Sequence, residues 1–313
     1  MSRTSRLLAV AALCATAAAT LVVPASASPW GATRSCAKPA PQAEGTSVLH
    51  EISSGGRERT YQLHLPEGYS GKTDWPLVLA YHGRGNTGAG TEEFSKLSTL
   101  PAVVAYPNGV VGTGEGERQA WQGAPYSAPG VDDVAFTRDL LDKLQAQLCT
   151  DAGRVYATGK SNGAGFTAIL ACRLASRITA IAPVAGAFYG TGEPPCRPSR
   201  PVPVIEFHGS ADVTVPYTGD EERGLPGIRD WVSAWAKRDG CRTTRPDTQT
   251  GTDITTSTWT GCKDDVQVKH VRVTEGGHTW PGADVYSGGG VTTQTIEAHE
   301  VLWRFVRDYR LPC

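Results

Sequence analysis

Five residues, Gly159-Lys160-Ser161-Asn162-Gly163, sit between an apolar run of strand type, Arg154-Val155-Tyr156-Ala157-Thr158, and a small-residue stretch of helical type over 164–175. A strand that passes into a helix through glycine, serine and glycine must turn sharply, and glycines at both outer positions remove the Cβ atoms that would clash. Such a corner strains the serine backbone, carries its hydroxyl beyond the strand, and aims the free N–H groups of the following helix at the same point. Serine in this setting is a candidate nucleophile.

The rest of the chain reads as strands alternating with helices. Residues 57–65 alternate polar and apolar like a half-buried strand, whereas 76–81 and 102–106 are continuous apolar runs suited to central strands covered on both faces. Asp132-Asp133 is expected to cap a helix whose Val134, Phe136, Leu140, Leu141, Leu144 and Leu148 share a face. Further strands are expected at 178–186, 204–207, 252–259 and 266–273, with helices at 225–238 and 295–309. Trp231 and Trp235, four residues apart, read as core packing. This alternation, without any repeat, predicts an α/β fold with a mostly parallel sheet and helices on both faces.

Arg3 and Arg6 precede an apolar, Ala-rich stretch over 7–23 and the small-x-small triplet Ala25-Ser26-Ala27, which together read as an export leader over residues 1–27. Leu13 before Cys14 argues against a lipoprotein and for simple secretion. The remainder, 28–313, is expected to form one catalytic domain. Seven of its residues are cysteines, which in an oxidising compartment implies three disulfides and one free thiol; Cys241 and Cys262, flanking a Thr-rich segment, form the best-matched pair. A net charge of −1 offers nothing for nucleic acid or an anionic surface, and nothing beyond the leader is apolar enough to span a bilayer. A monomer is expected.

A serine hydroxyl needs a base to take its proton during attack, and histidine serves best when a carboxylate fixes its tautomer. Asp212 follows a strand in His208-Gly209-Ser210-Ala211-Asp212, and His278 lies on the glycine-rich loop Glu275-Gly276-Gly277-His278-Thr279-Trp280-Pro281-Gly282. Ser161, Asp212, His278 is the nucleophile, acid, base order of the α/β-hydrolase fold, each residue just past a strand. His82-Gly83-Arg84-Gly85-Asn86 after residues 76–81 reads as the other half of an oxyanion hole, the Arg84 and Asn162 N–H groups being its donors; no helix is expected directly behind this loop. Trp121, on a long Gly-rich loop over 110–130, and Trp280, beside His278, are candidates to line a substrate pocket. His82 and His208 read as loop-shaping hydrogen bonders. No His-Glu-x-x-His occurs and no Cys-x-x-Cys suggests zinc, so no metal and no cofactor are expected.

The elbow pentapeptide, His-Gly-Ser-Ala-Asp followed by Val215-Pro216-Tyr217, and Gly-Gly-His-Thr-Trp-Pro-Gly together resemble carbohydrate esterase family 1, the secreted feruloyl esterases and their poly(3-hydroxybutyrate) depolymerase-like relatives. The resemblance runs from about Cys36 to the final helix. It implies an α/β-hydrolase that cleaves esters through an acyl-enzyme on Ser161, Asp212 and His278, without a cofactor, and acts on small-molecule or polysaccharide-linked esters. Feruloyl esters of arabinoxylan come first; acetylxylan and short polyhydroxyalkanoates are alternatives, and an acyltransferase with the same three residues is a reading from another class. Arg84 and Lys160-Ser161-Asn162 depart from the neighbours that relatives often carry, which bears on acyl preference.

Overall fold

The computed structural model describes residues 36–311 except 115 and 190–195; the expected leader, Cys14 and Cys313 lie outside them. The chain enters through an antiparallel pair, β1 (Ser47–Ser54) and β2 (Arg57–His64), joined at Gly55 and Gly56, both with positive φ. Then follow β3 (Trp75–Tyr81), α1 (Gly88–Ser95), β4 (Val103–Pro107), the short hairpin of β5 (Val110–Val111) and β6 (Gln119–Ala120), and α2 (Asp133–Gln147). The elbow lies between β7 (Thr150–Lys160) and α3 (Asn162–Arg173). The remainder is β8 (Ala180–Val184), β9 (Val204–Gly209), α4 (Ile228–Arg238), β10 (Thr243–Thr250), β11 (Ile254–Thr260), β12 (Val268–Val273) and α5 (Ala298–Val306).

Ten strands form one sheet in the order β1-β2-β4-β3-β7-β8-β9-β12-β11-β10. From β4 to β12 every neighbouring pair is parallel, and antiparallel strands close both edges. The continuous apolar runs occupy the centre because parallel strands are covered twice. Leu77, Leu79 and Tyr81 of β3 join Leu140, Phe166, Leu170 and Trp235 from α2, α3 and α4 in one core; Val78 and Ala80 join Phe94, Leu302 and Phe305 from α1 and α5 in the other. Burying each such Leu or Phe contributes about 1.5–3 kcal/mol. That offsets the weak helix propensity of α3, whose Gly165 is required because a Cβ there would lie 2.1 Å from the Ala187 carbonyl oxygen.

Edge strand β1 and the short hairpin of β5 and β6 add to the expected elements, and two further departures have a clear physical reason. The glycine loop after β3 does lead directly into a helix, α1, capped by Thr87, whose side chain accepts the Gly90 N–H. Its glycines hide the helical pattern, yet Gly88 must lack a Cβ because one would meet the Tyr106 carbonyl oxygen at 2.2 Å. Strand β10 was not anticipated. All eight of its residues are exposed, so this edge strand has no buried face to generate alternation, and its ladder is irregular between Arg245 and Thr248, around Pro246. Asp132 caps α2 as expected, but Asp133 is buried against Arg59 at 2.9 Å.

Cys241 and Cys262 are bonded as the sequence suggested, and Cys36–Cys149 and Cys172–Cys196 are the other two disulfides among the described residues. The first closes 113 residues and ties the lead segment to the end of α2. Replacing Cys36 and Cys149 together by alanine is expected to cost about 2–5 kcal/mol, measured as a lower urea midpoint under oxidising conditions.

Candidate active site

Four loops meet at the carboxyl edge of the sheet, following β3, β7, β9 and β12, which lie side by side apart from the intervening β8. In parallel sheets this edge is where ligands bind. Ser161 occupies the corner after β7 with φ 56° and ψ −119°, strained for a residue with a side chain. Its N–H donates to the Val184 carbonyl, and its own carbonyl accepts from Gly165 and Ala187, so the corner is over-determined by its neighbours. Neither flanking glycine has positive φ; both are needed for close approach. A Cβ on Gly159 would lie 2.6 Å from the Tyr81 carbonyl oxygen, and one on Gly163 2.2 Å from it and 2.4 Å from that of His82.

Asp212 follows β9 on a tight turn in which its Oδ1 accepts the N–H groups of Thr214 and Val215, both at 2.8 Å. Its Oδ2 accepts from His278 Nδ1 at 2.7 Å. Burial would raise the Asp212 pKa, but hydrogen bonds from His208 and His278 outweigh it and hold the carboxyl well below the usual range. His278, on the loop after β12, is nearly buried, and desolvation lowers its pKa below 6.5, opposed by Asp212 and reinforced by the nearby Lys160. With Nδ1 engaged, Nε2 is the nitrogen left for proton exchange.

Behind Asp212 lies a buried chain the sequence did not suggest. Tyr217 OH meets His270 Nε2 at 2.7 Å, His270 Nδ1 meets Glu206 Oε2 at 2.7 Å, and Glu206 Oε1 meets His208 Nδ1 at 3.0 Å. His208 Nε2 donates to the Val215 carbonyl at 2.9 Å and lies 3.3 Å from Asp212 Oδ2. Both ring nitrogens of His208 thus face only acceptors. Burial opposes its charge, yet Asp212 and Glu206 prevail and raise its pKa to about 9. The imidazolium between two carboxylates fixes Asp212 from behind. His82 contrasts with it: its Nε2 accepts the Gly109 N–H, so the ring is a neutral loop fastener, and burial lowers its pKa to about 4.

Ser161 and His278 share a cavity of about 620 Å³, whose wall includes Arg84, Phe94, Tyr126, Tyr189 and Tyr286. Among the described residues the backbone N–H groups of Arg84 and Asn162 have no partner, as donors for a developing oxyanion require. The Asn162 side chain is occupied elsewhere: its Oδ1 accepts the Trp121 N–H at 2.7 Å and its Nδ2 donates to the Trp121 carbonyl, which pins the long loop to the elbow.

Residues 59–212 match the family model described as "Esterase PHB depolymerase". The chain is 30% identical over 274 residues to "Putative esterase NocK" of Nocardia uniformis subsp. tsuyamanensis, covering 77% of this chain and 76% of that protein. This chain belongs to the PHB depolymerase esterase family. It is also 30% identical to "Feruloyl esterase B" of Piromyces equi over 80% of its own length, but spans only 45% of that relative. Among solved structures, a CE1 ferulic acid esterase of Anaeromyces mucronatus in complex with ferulic acid aligns with a TM-score of 0.52 over 88% of this chain and 95% of that one. At 14% identity it supports the α/β-hydrolase fold alone.

Within this esterase fold, Ser161, Asp212, His278, Arg84 and Asn162 come together at one end of the sheet. Trp121 and Trp280 do not line the cavity that Ser161, His278 and Arg84 share. Trp121 is fully buried, stacked on Phe166 and edge-on to Tyr81, with Nε1 donating to the His82 carbonyl at 3.0 Å. Trp280 is 1% exposed and packs on Phe94, one layer behind the wall. Both are corrections to the pocket-lining expectation: position beside a loop motif does not tell whether an indole faces the cavity or the core. The aromatic wall comes instead from Tyr126, Tyr189, Tyr286 and Phe94, for which the sequence carries no local signal except the length of the loop that holds Tyr126.

Histidine titration followed by NMR is expected to place the His278 midpoint below 6.5 while His208 stays protonated until about pH 9. Because the folded pKa of His208 is raised, its stabilising contribution is full below about pH 6.5 and is lost as pH rises through 9. A His208 that titrates near 6.5 would contradict the imidazolium bridge.

Proposed function

We propose that this chain is a secreted serine carboxylic-ester hydrolase acting through an acyl-enzyme. The observation that carries this reading is the 2.7 Å bond between Asp212 and His278 at a cavity that also holds the strained Ser161. Ser161 attacks the ester carbonyl as His278 Nε2 takes its proton, and the Arg84 and Asn162 N–H groups receive the oxyanion. His278 then protonates the leaving alcohol, and water repeats the sequence to free the acid. Asp212, held by His208 and two backbone donors, supports the imidazolium that forms in each half.

Feruloyl and related hydroxycinnamoyl esters of arabinoxylan are the proposed first substrate class. The relative named feruloyl esterase B supports this, as does an aromatic wall suited to a phenolic ring. Secretion is supported by three disulfides, which persist in oxidising compartments, together with the leader-like first 27 residues.

Hydrolysis of methyl ferulate, p-nitrophenyl acetate and a 3-hydroxybutyrate oligomer by the purified chain tests both levels. Ser161→Ala is expected to abolish turnover of all three, and Asp212→Asn to leave on the order of 10⁻⁴ of kcat. Wild-type rates in Ser161→Ala would overturn the nucleophile assignment. Preference for acetate or the oligomer would keep the triad and discard the feruloyl class.

A further inference from the structure

The cavity is far more positive than the chain that builds it. The whole sequence carries a net −1, yet the described residues lining the cavity include Arg84, Arg118, Lys160 and Arg223 against one carboxylate, Glu93, itself exposed. Arg223 is partly satisfied by the Thr214 carbonyl and by Asp220 at 3.6 Å. Arg84, Arg118 and Lys160 have no ion pair among the described residues. Arg84 stacks on Tyr126 at 4.3 Å, and its Nε is buried without a hydrogen-bond partner.

Lys160 is the most unusual of these cations. It precedes Ser161 in the elbow, is 6% exposed, and extends its ammonium across the cavity floor toward the loop after His278, where a Cβ on Gly288 would lie 2.8 Å from Nζ. Among the described residues no hydrogen bond or ion pair engages its ammonium. Asp212, whose charge acts on this ammonium, is committed to Thr214, Val215, His278 and the charged His208. Glu206 is likewise divided between His208 and His270. Desolvation lowers the Lys160 pKa to about 8, which still leaves the ammonium charged at neutral pH. A buried, unpaired ammonium is costly and survives where something else supplies the opposite charge.

We propose that Lys160, with Arg84 at the rim, forms an anion subsite that binds a carboxylate on the part of the substrate remote from the scissile ester. This rests on the esterase reading above and narrows its substrate class to esters that carry a free acid. A carboxylate fits better than a phosphate because a single buried ammonium calls for a single compensating charge. The cationic rim would also draw such substrates in, because a cleft of one sign focuses its field. Two sources offer this chemistry: a uronic acid on a xylan-type oligosaccharide, and the free end of a hydroxyacid oligomer.

Calorimetric titration of the Ser161→Ala chain reads the subsite without turnover. One pair of probes is the 3-hydroxybutyrate dimer as free acid and as primary amide; the other is a glucuronic acid-substituted xylo-oligosaccharide and its carboxyl-reduced counterpart. The acid member of at least one pair is expected to bind about tenfold tighter or more, as a hydrogen bond to a buried charge implies, and that pair identifies the source. Adding Lys160→Met should bring the ratio close to one, Arg84→Gln should reduce it, and raising salt should shrink the rim's share. Equal binding, or no binding, of acid and neutral members in both pairs would overturn the subsite, as would a preference that survives both substitutions. Wild-type turnover of neutral esters decides the esterase reading separately.

Discussion

A Cβ on Gly163 would lie 2.2 Å from the Tyr81 carbonyl oxygen, so the corner between β7 and α3 packs backbone against backbone on the end of β3. That contact places Ser161 at φ 56° on the wall of the cavity that Arg84 also lines. The strain at Ser161 persists because its backbone is bonded to Val184, Gly165 and Ala187 at once. The rest of the site is arranged about this corner. The Asn162 amide fastens the long loop at Trp121, and the Trp121 indole in turn holds the His82 carbonyl.

Electrostatics at the site is organised in two parts that meet at Asp212. Behind it, Glu206, His208 and His270 form a buried chain that ends on Tyr217, in which each carboxylate is matched by donors. Such a network is stable only when every member is satisfied. In front of it, Lys160 and Arg84 line the cavity with no ion pair among the described residues. The two carboxylates buried behind His278, Asp212 and Glu206, are thus engaged by histidines and backbone donors, while the cations lie on the cavity side.

The strand-to-helix glycines, the acid after β9 and the histidine after β12 were readable from the sequence because each depends on a local requirement: a turn that excludes Cβ, or a polar residue just past an apolar run. Other features follow no local rule. The indoles of Trp121 and Trp280 could have faced either way, and contact with Phe166 and Phe94 turned them into the core. Helix α1 was hidden by glycines chosen for close approach to Tyr106, and β10 by the absence of any buried face. His208 looked like a turn residue, since its two carboxylate neighbours come together only when β9 and the turn after it are folded.

What the sequence alone determined is the alternation of the central strands and most helices, the parallel centre of the sheet and the placement of Ser161, Asp212 and His278 at strand ends, because hydrophobic periodicity and turn chemistry act over a few neighbouring residues. Tertiary structure decided which aromatic rings face the cavity, how Cys36 finds Cys149 and Cys172 finds Cys196, and that Lys160 is buried without an ion pair among the described residues. Those outcomes depend on surfaces brought together from distant parts of the chain. Burial and pairing of charge are properties of the assembled sheet edge, and no stretch of sequence contains them.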